Sequence, residues 1–205
     1  MVTSTQIRVL VGLVLVAWLA IALAQGQPPS TRLFTSFSYV VSAVSIVVLL
    51  WDRWLWAFRV FRPWLTTRPD LRGTWKGQLL SNWIDPGTGE RGGPIEAYLV
   101  IRQTYSSIDM RLFTMESNSV SLSASVVRDT VGVHKLAATY RNESKVLLRE
   151  DSPIHYGGVL LDVRGIPVEK LDGEYWTDRG TKGDAAFLTR ARRVSHDFND
   201  AARSF

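Results

Sequence analysis

Ser119-Val120-Ser121-Leu122-Ser123-Ala124-Ser125-Val126 alternates a hydroxyl and an apolar side chain without a break. Successive side chains of an extended chain point to opposite faces, so this period-two pattern predicts a β-strand burying Val120, Leu122, Ala124 and Val126 and turning its serines to water. Ahead of it, Ile95 to Arg102 and Ile108 to Thr114 alternate in the same way across a short polar connection at Ser106 and Ser107, which predicts a hairpin. Thr74 to Trp83 is a further strand, ended by the turn-forming run Asp85-Pro86-Gly87-Thr88-Gly89-Glu90-Arg91-Gly92-Gly93-Pro94. Beyond it, Val133 to Arg141, Gly157 to Val163, Glu174 to Asp178 and Asp184 to Arg192 complete a set of about eight strands.

Long helical periodicity is missing between Leu71 and Arg190. Short strands at regular spacing indicate a sandwich or a barrel, and about eight antiparallel strands in roughly 120 residues suit a small closed barrel. A barrel of that size can hold one small ligand.

The N-terminal part has another character. Val9 to Ala24 is apolar but for one glycine, and Ile7 extends it; Leu33 to Leu50 is uncharged and carries Ser36, Ser38, Ser42 and Ser45. Each approaches the roughly 20 residues needed to span a bilayer core, so two transmembrane helices are expected, joined by the loop Gln25-Gly26-Gln27-Pro28-Pro29-Ser30. A cleaved signal peptide is the competing reading, disfavoured by the length of the first run and by the second that follows. Trp51, Trp54, Trp56 and Trp64 then sit where an aromatic belt belongs, with Arg53, Arg59 and Arg62 at headgroup level. Trp51 to Phe61 is expected to continue as an interfacial helix until Pro63. Between the spans lies only Arg32, whereas Arg53, Arg59, Arg62, Arg68, Arg72 and Lys76 crowd the far side, which places the barrel and both termini in the cytoplasm. The division is thus 1–69 for the membrane helices and their linker, 70–193 for the ligand-binding barrel and 194–205 for a polar C-terminal tail.

The 205 residues contain no cysteine, which excludes disulfides and thiolate chemistry. The net charge of +5 suits anionic lipid, nucleic acid or phosphate-bearing ligands equally. His134, His155 and His196 lack partners at metal-ligand spacing, and neither a Walker-type phosphate loop nor a serine nucleophile elbow occurs. Gly180-Thr181-Lys182-Gly183 reads as a hairpin turn. With no paired carboxylates, binding is favoured over catalysis, and no catalytic residue or metal ligand is assigned.

The candidates for binding are Trp83, Arg102, Tyr105, Arg111, Tyr140, Tyr175, Trp176 and Arg179, with Thr181 in the turn beside them. Guanidinium groups gathered at one mouth of the barrel would pair with phosphates, and the rings would stack on bases. Each aromatic also suits a core, and each arginine a solvated outer face.

The order of parts, with Leu71-Arg72-Gly73-Thr74-Trp75-Lys76-Gly77 and Leu171-Asp172-Gly173-Glu174-Tyr175-Trp176-Thr177-Asp178-Arg179-Gly180-Thr181-Lys182-Gly183, resembles the SMODS-associated two-transmembrane β-strand-rich effectors of CBASS, the bacterial anti-phage systems that signal with cyclic oligonucleotides. Gly-x-Trp at a first strand also occurs in lipocalin-like barrels. The resemblance implies a cyclic dinucleotide receptor without cofactor or enzymatic activity, supplied with ligand by a cognate nucleotidyltransferase and not binding nucleic acid polymers. It further implies ligand-dependent homo-oligomerisation and disruption of the bacterial inner membrane, an abortive infection. A membrane-tethered carrier of a small apolar ligand and a scaffolding protein are the competing readings.

Overall fold

All the predicted strands are present: β1 (Gly73–Ser81), β2 (Ile95–Gln103), β3 (Ile108–Thr114), β4 (Ser117–Arg128), β5 (His134–Ser144), β6 (His155–Arg164), β7 (Lys170–Thr177) and β8 (Lys182–Ala191). Each pairs antiparallel with its neighbours in sequence, and β8 returns to β1, so the sheet closes into an eight-stranded barrel with no free edge. The computed structural model describes residues 4–24, 37–61 and 64–205. The chain divides into two compact units, residues 1–67 and 68–205.

The barrel has a floor, where β1 begins and β2 ends, and a mouth at the opposite end. Leu71, Trp75, Ile101, Leu136, Leu161 and Leu171 are fully buried toward the floor, each contributing about 1.5–3 kcal/mol by leaving water. Trp75 donates its indole N–H to the Leu71 carbonyl at 2.9 Å. The Arg190 guanidinium lies 5.1 Å from the centre of its ring. Arg190 donates in turn to the carbonyl oxygens of Asp70 (2.8 Å) and Arg72 (2.9 Å) and pairs with the Asp70 carboxylate at 3.3 Å. Burial alone would push the Asp70 carboxyl up, but the hydrogen bond from Arg72 and the charges of Arg72 and Arg190 outweigh it and hold it below the ordinary range.

The serine-rich strand departs from the simple alternation. Ser121 pairs with Tyr140 and Ser123 with Thr139, so Leu122 is one residue too many for the partner strand. This bulge exchanges the two faces along β4. After it, Ala124 and Val126 pack against the core as expected. Before it, the faces are reversed: Ser119 is buried, Val120 is exposed, and Leu122 on the bulge is 63% exposed. The expected burial of Val120 and Leu122 is therefore corrected. β3 and β4 pair only from Arg111 to Phe113, and the Ser121 hydroxyl accepts from the Met110 backbone N–H at 3.0 Å beyond that pairing.

Residues 194–205, set apart from the barrel in the sequence as a polar tail, lie against its outer wall. Asp197 caps the short helix α3 (Phe198–Ala202, following α1 and α2 below) by accepting from the Asp200 N–H at 2.8 Å. Phe198 meets the Tyr98 ring edge-on at 5.1 Å and Phe205 stacks on it at 6.0 Å. The Thr74 hydroxyl ties the strap down, donating to the Arg193 carbonyl at 2.7 Å and accepting from the Ser195 N–H at 3.1 Å. Tyr98, Val100 and Phe113, all on the outside of the barrel, are buried beneath this strap.

The N-terminal unit contains α1 (Ser4–Ala24) and α2 (Phe37–Arg53). Side chains of residues 4–7, 10, 37 and 38 are outside the described set, and among the described residues no helix is long and apolar enough to cross a membrane. The two predicted spans are thus not carried by the structure. Val16, Leu19, Leu23, Ile46 and Leu49 nonetheless stand exposed on these helices. Of the expected interfacial helix Trp51 to Phe61, the first three residues end α2 and the rest is replaced by two short 3-10 turns, Leu55–Ala57 and Arg59–Phe61. Trp51 and Phe61 meet edge-on at 5.2 Å. The loop at 25–30 with Arg32, the start of the second apolar run, and Arg62 and Pro63 fall outside the described residues.

Candidate ligand-binding site

The odd-numbered strands end at the mouth, and their last inward residues surround a cavity of about 650 Å³. Its deeper wall is apolar, with Leu99, Met110, Val159, Leu161 and Phe187. Its upper wall carries hydroxyls and an amide: Ser81, Ser117, Ser119, Asn142, Ser144 and Thr177. Ser117 and Ser119 face inward because they precede the bulge.

Two tyrosines lie along the wall, made possible by glycines beside them. Tyr140 pairs across the sheet with Gly157, and Tyr175 with Gly183. A Cβ at residue 157 would come within 2.5 Å of the Tyr140 Cζ, and one at 183 within 2.9 Å of the Tyr175 Cε1. Only glycine lets the rings rest flat against the sheet and leaves the lumen open. Burial pushes the Tyr140 phenol up to about 12, helped by Tyr175 and Asp178. It is therefore a neutral hydroxyl at physiological pH, donating weakly to the Trp176 carbonyl at 3.4 Å.

The polar groups are linked. The Asn142 amide N–H₂ donates to Ser117 Oγ (3.1 Å) and Ser119 Oγ (2.9 Å), and its carbonyl oxygen is buried without a partner. Ser144 donates to Ser152 Oγ at 2.9 Å, and Arg179 reaches the same atom at 3.4 Å. His155 holds the Pro153 carbonyl at 3.0 Å through Nδ1. Since a carbonyl only accepts, the proton of the neutral ring sits on Nδ1 and Nε2 is left as an acceptor. Thr177 and Thr181 share a hydrogen bond of 2.6 Å across the β7–β8 turn. The carboxylates at the rim are Glu96, Glu116 and Asp151, of which Glu96 is held by Lys76 at 3.0 Å.

Of the candidates from sequence, Trp83, Tyr140, Tyr175, Arg179 and Thr181 are brought together around this cavity. Arg102 and Arg111 are not: they line a shallow depression on the outer wall with Ser195 and His196. Tyr105 belongs to the β2–β3 turn at the floor end, where the Arg68 guanidinium lies 5.9 Å from its ring centre. Trp176 lies on the outside, across Gly158. Ser117, Ser119, Asn142 and His155 are not among the candidates from sequence; the alternation that predicts the strand turns Ser119 to water, whereas the cavity wall holds it.

A concave site with hydroxyl donors, aromatic faces and one arginine suits an anionic ligand with flat rings. Among the described residues no group of three His, Asp or Glu side chains could hold a metal ion. Compared with the curated proteins, the chain finds no match. Residues 66–189, which run from before β1 into β8 and make up more than half the chain, match the family model described as Cap15, cyclic dinucleotide receptor domain. A closed eight-stranded barrel with one open, hydroxyl-lined chamber is thus the form this match takes here, and the chain belongs to the Cap15 cyclic dinucleotide receptor domain family.

Proposed function

We propose that the chain is the receptor and effector of a bacterial CBASS anti-phage system, with a cyclic dinucleotide held at the mouth of the barrel. The observation that supports this most is the cavity of about 650 Å³ with Tyr140 and Tyr175 flat on its wall and Arg179 at its rim. The rings offer faces for a base, Arg179 a charge for a phosphate, and Ser117, Ser119 and Thr181 hydroxyls for the ligand's oxygens. No step of bond making is required of any of them, and the chain acts as a receptor rather than an enzyme.

The exposed apolar side chains of α1 and α2, with the tryptophans and arginines that follow, support a membrane role for the N-terminal unit. In this reading both apolar runs span the inner membrane, the barrel and both termini are cytoplasmic, and a cognate nucleotidyltransferase supplies the ligand. Binding favours an oligomer only to the extent that the oligomer binds the ligand more tightly, and the assembled helices breach the bilayer.

Isothermal titration calorimetry of the full chain in detergent, against cyclic di-AMP, cyclic di-GMP and cyclic trinucleotides, tests the reading. Saturable binding of one nucleotide, weakening as salt rises, is expected. Absence of binding to all of them would end it. The apolar deeper wall favours a second reading, a carrier of an apolar ligand, whose binding would be insensitive to salt.

A further inference from the structure

The chamber has a thin side. Thr114, Met115, Ser117, Ser144 and Phe198 line both the interior cavity and a second depression of about 610 Å³. The outer space lies between the β3–β4 turn, the loop after β5 and the start of α3, and these five residues border both spaces.

Among the described residues Arg179 is the one arginine or lysine on the interior wall, while Lys145 and Arg149 line the outer depression beside His196. Arg149 is anchored on the Ser144 carbonyl through Nε at 3.2 Å, on the residue whose hydroxyl points toward Ser152 and the cavity. Among the described residues neither Lys145 nor Arg149 enters an ion pair. Of the two carboxylates that line the depression, Glu143 pairs with Arg141 at 3.1 Å and Asp197 caps α3, whereas Glu116 and Asp151 stand on the lumen side. Asn118, on the same wall, has a buried side-chain oxygen with no partner.

A ligand with two phosphodiesters carries two negative charges that stay ionised at neutral pH, and one arginine leaves half of that charge unmatched. We propose that the outer depression is a second anion subsite. One phosphate meets Arg179 at the rim of the lumen, and the other crosses the rim at Ser117 and Ser144 to meet Lys145 and Arg149, with Phe198 closing the side. The C-terminal strap thereby becomes part of the binding site, although the family match ends at residue 189. This inference rests on the cyclic dinucleotide reading and extends it to residues nothing else assigns.

The test uses the full chain in detergent, titrated with whichever of cyclic di-AMP and cyclic di-GMP binds it more tightly. The Lys145→Ala/Arg149→Ala pair should lose about 10–100-fold in affinity and show a shallower salt dependence, as Arg179→Ala should. Arg128→Ala, which removes an exposed charge near the floor, should stay within about twofold. Phe198→Ala should weaken binding without changing the salt dependence. If Arg179→Ala weakens binding and the Lys145/Arg149 pair does not, the subsite is overturned and the receptor reading stands. If none of the cyclic di- and trinucleotides binds the unmodified chain, both fall together. Melting temperatures without ligand identify a variant that fails to fold, in which case Lys145→Gln/Arg149→Gln carries the decision.

Discussion

At the floor of the barrel, Trp75 is sealed between the Leu71 carbonyl and the Arg190 guanidinium; at the mouth, Tyr140 and Tyr175 lie against glycines beside open space. The same strands build both ends. At the floor the aromatic ring fills volume and its polar atom is spent inside the fold. At the mouth the rings line volume, and hydroxyls, an amide and a guanidinium remain near it. Stability is thus concentrated at the floor, and the mouth, where the ligand is proposed to sit, is released from having to supply it.

The largest effect should come from breaking the floor. Trp75→Ala removes a fully buried ring and leaves a cavity, and should cost about 3–5 kcal/mol in urea denaturation. A loss under about 1 kcal/mol would mean that the floor is not the anchor described.

Arg179→Ala should do the reverse, leaving the ligand-free melting temperature in place while affinity for the cyclic dinucleotide falls about 10–100-fold, the worth of a charge-assisted hydrogen bond. An equal fall in melting temperature would erase the division between the ends.

Titration separates them next. Asp70 at the floor is held low, so its contribution is present above its unfolded value and is lost as pH falls through about 4 and below. Asp70→Asn should flatten that acid limb in pH-dependent denaturation. Tyr140 at the mouth is raised to about 12, so folding is progressively weakened as pH climbs past the ordinary tyrosine value near 10. Tyr140→Phe should remove that alkaline loss; an unchanged alkaline limb would contradict the burial assigned to the phenol.

The smallest effect is expected at Ser119→Ala, which takes one hydroxyl from Asn142 and, under the proposed binding, from the ligand. Affinity should drop about 2–10-fold, the worth of one neutral hydrogen bond, with little change in stability.

The strands were legible because turns and alternation mark them locally, and Ile108–Thr114 matches to the residue. Which way their side chains point was less so. In β2 both faces are apolar, Leu99 and Ile101 toward the core and Tyr98 and Val100 under the strap, so alternation alone left the side of Arg102 undecided. Covering of an outer wall by residues about a hundred positions away leaves no local mark. In β3 the parity was readable, since Asp109 and Arg111 share a face opposite Met110. The pocket hydroxyls stayed hidden for another reason: nothing in a run of alternating serines announces where the extra residue falls.

That extra residue, Leu122, acts as a shift of reading frame within a strand. One monotonous text is read polar-inward before it and apolar-inward after it. The depth of the hydroxylic chamber is therefore set by the bulge's position rather than by composition. Sliding the bulge by two residues toward the floor would turn Ser123 inward and exchange a layer of oil for a layer of hydroxyls, so barrels of near-identical residue content could differ widely in what they hold.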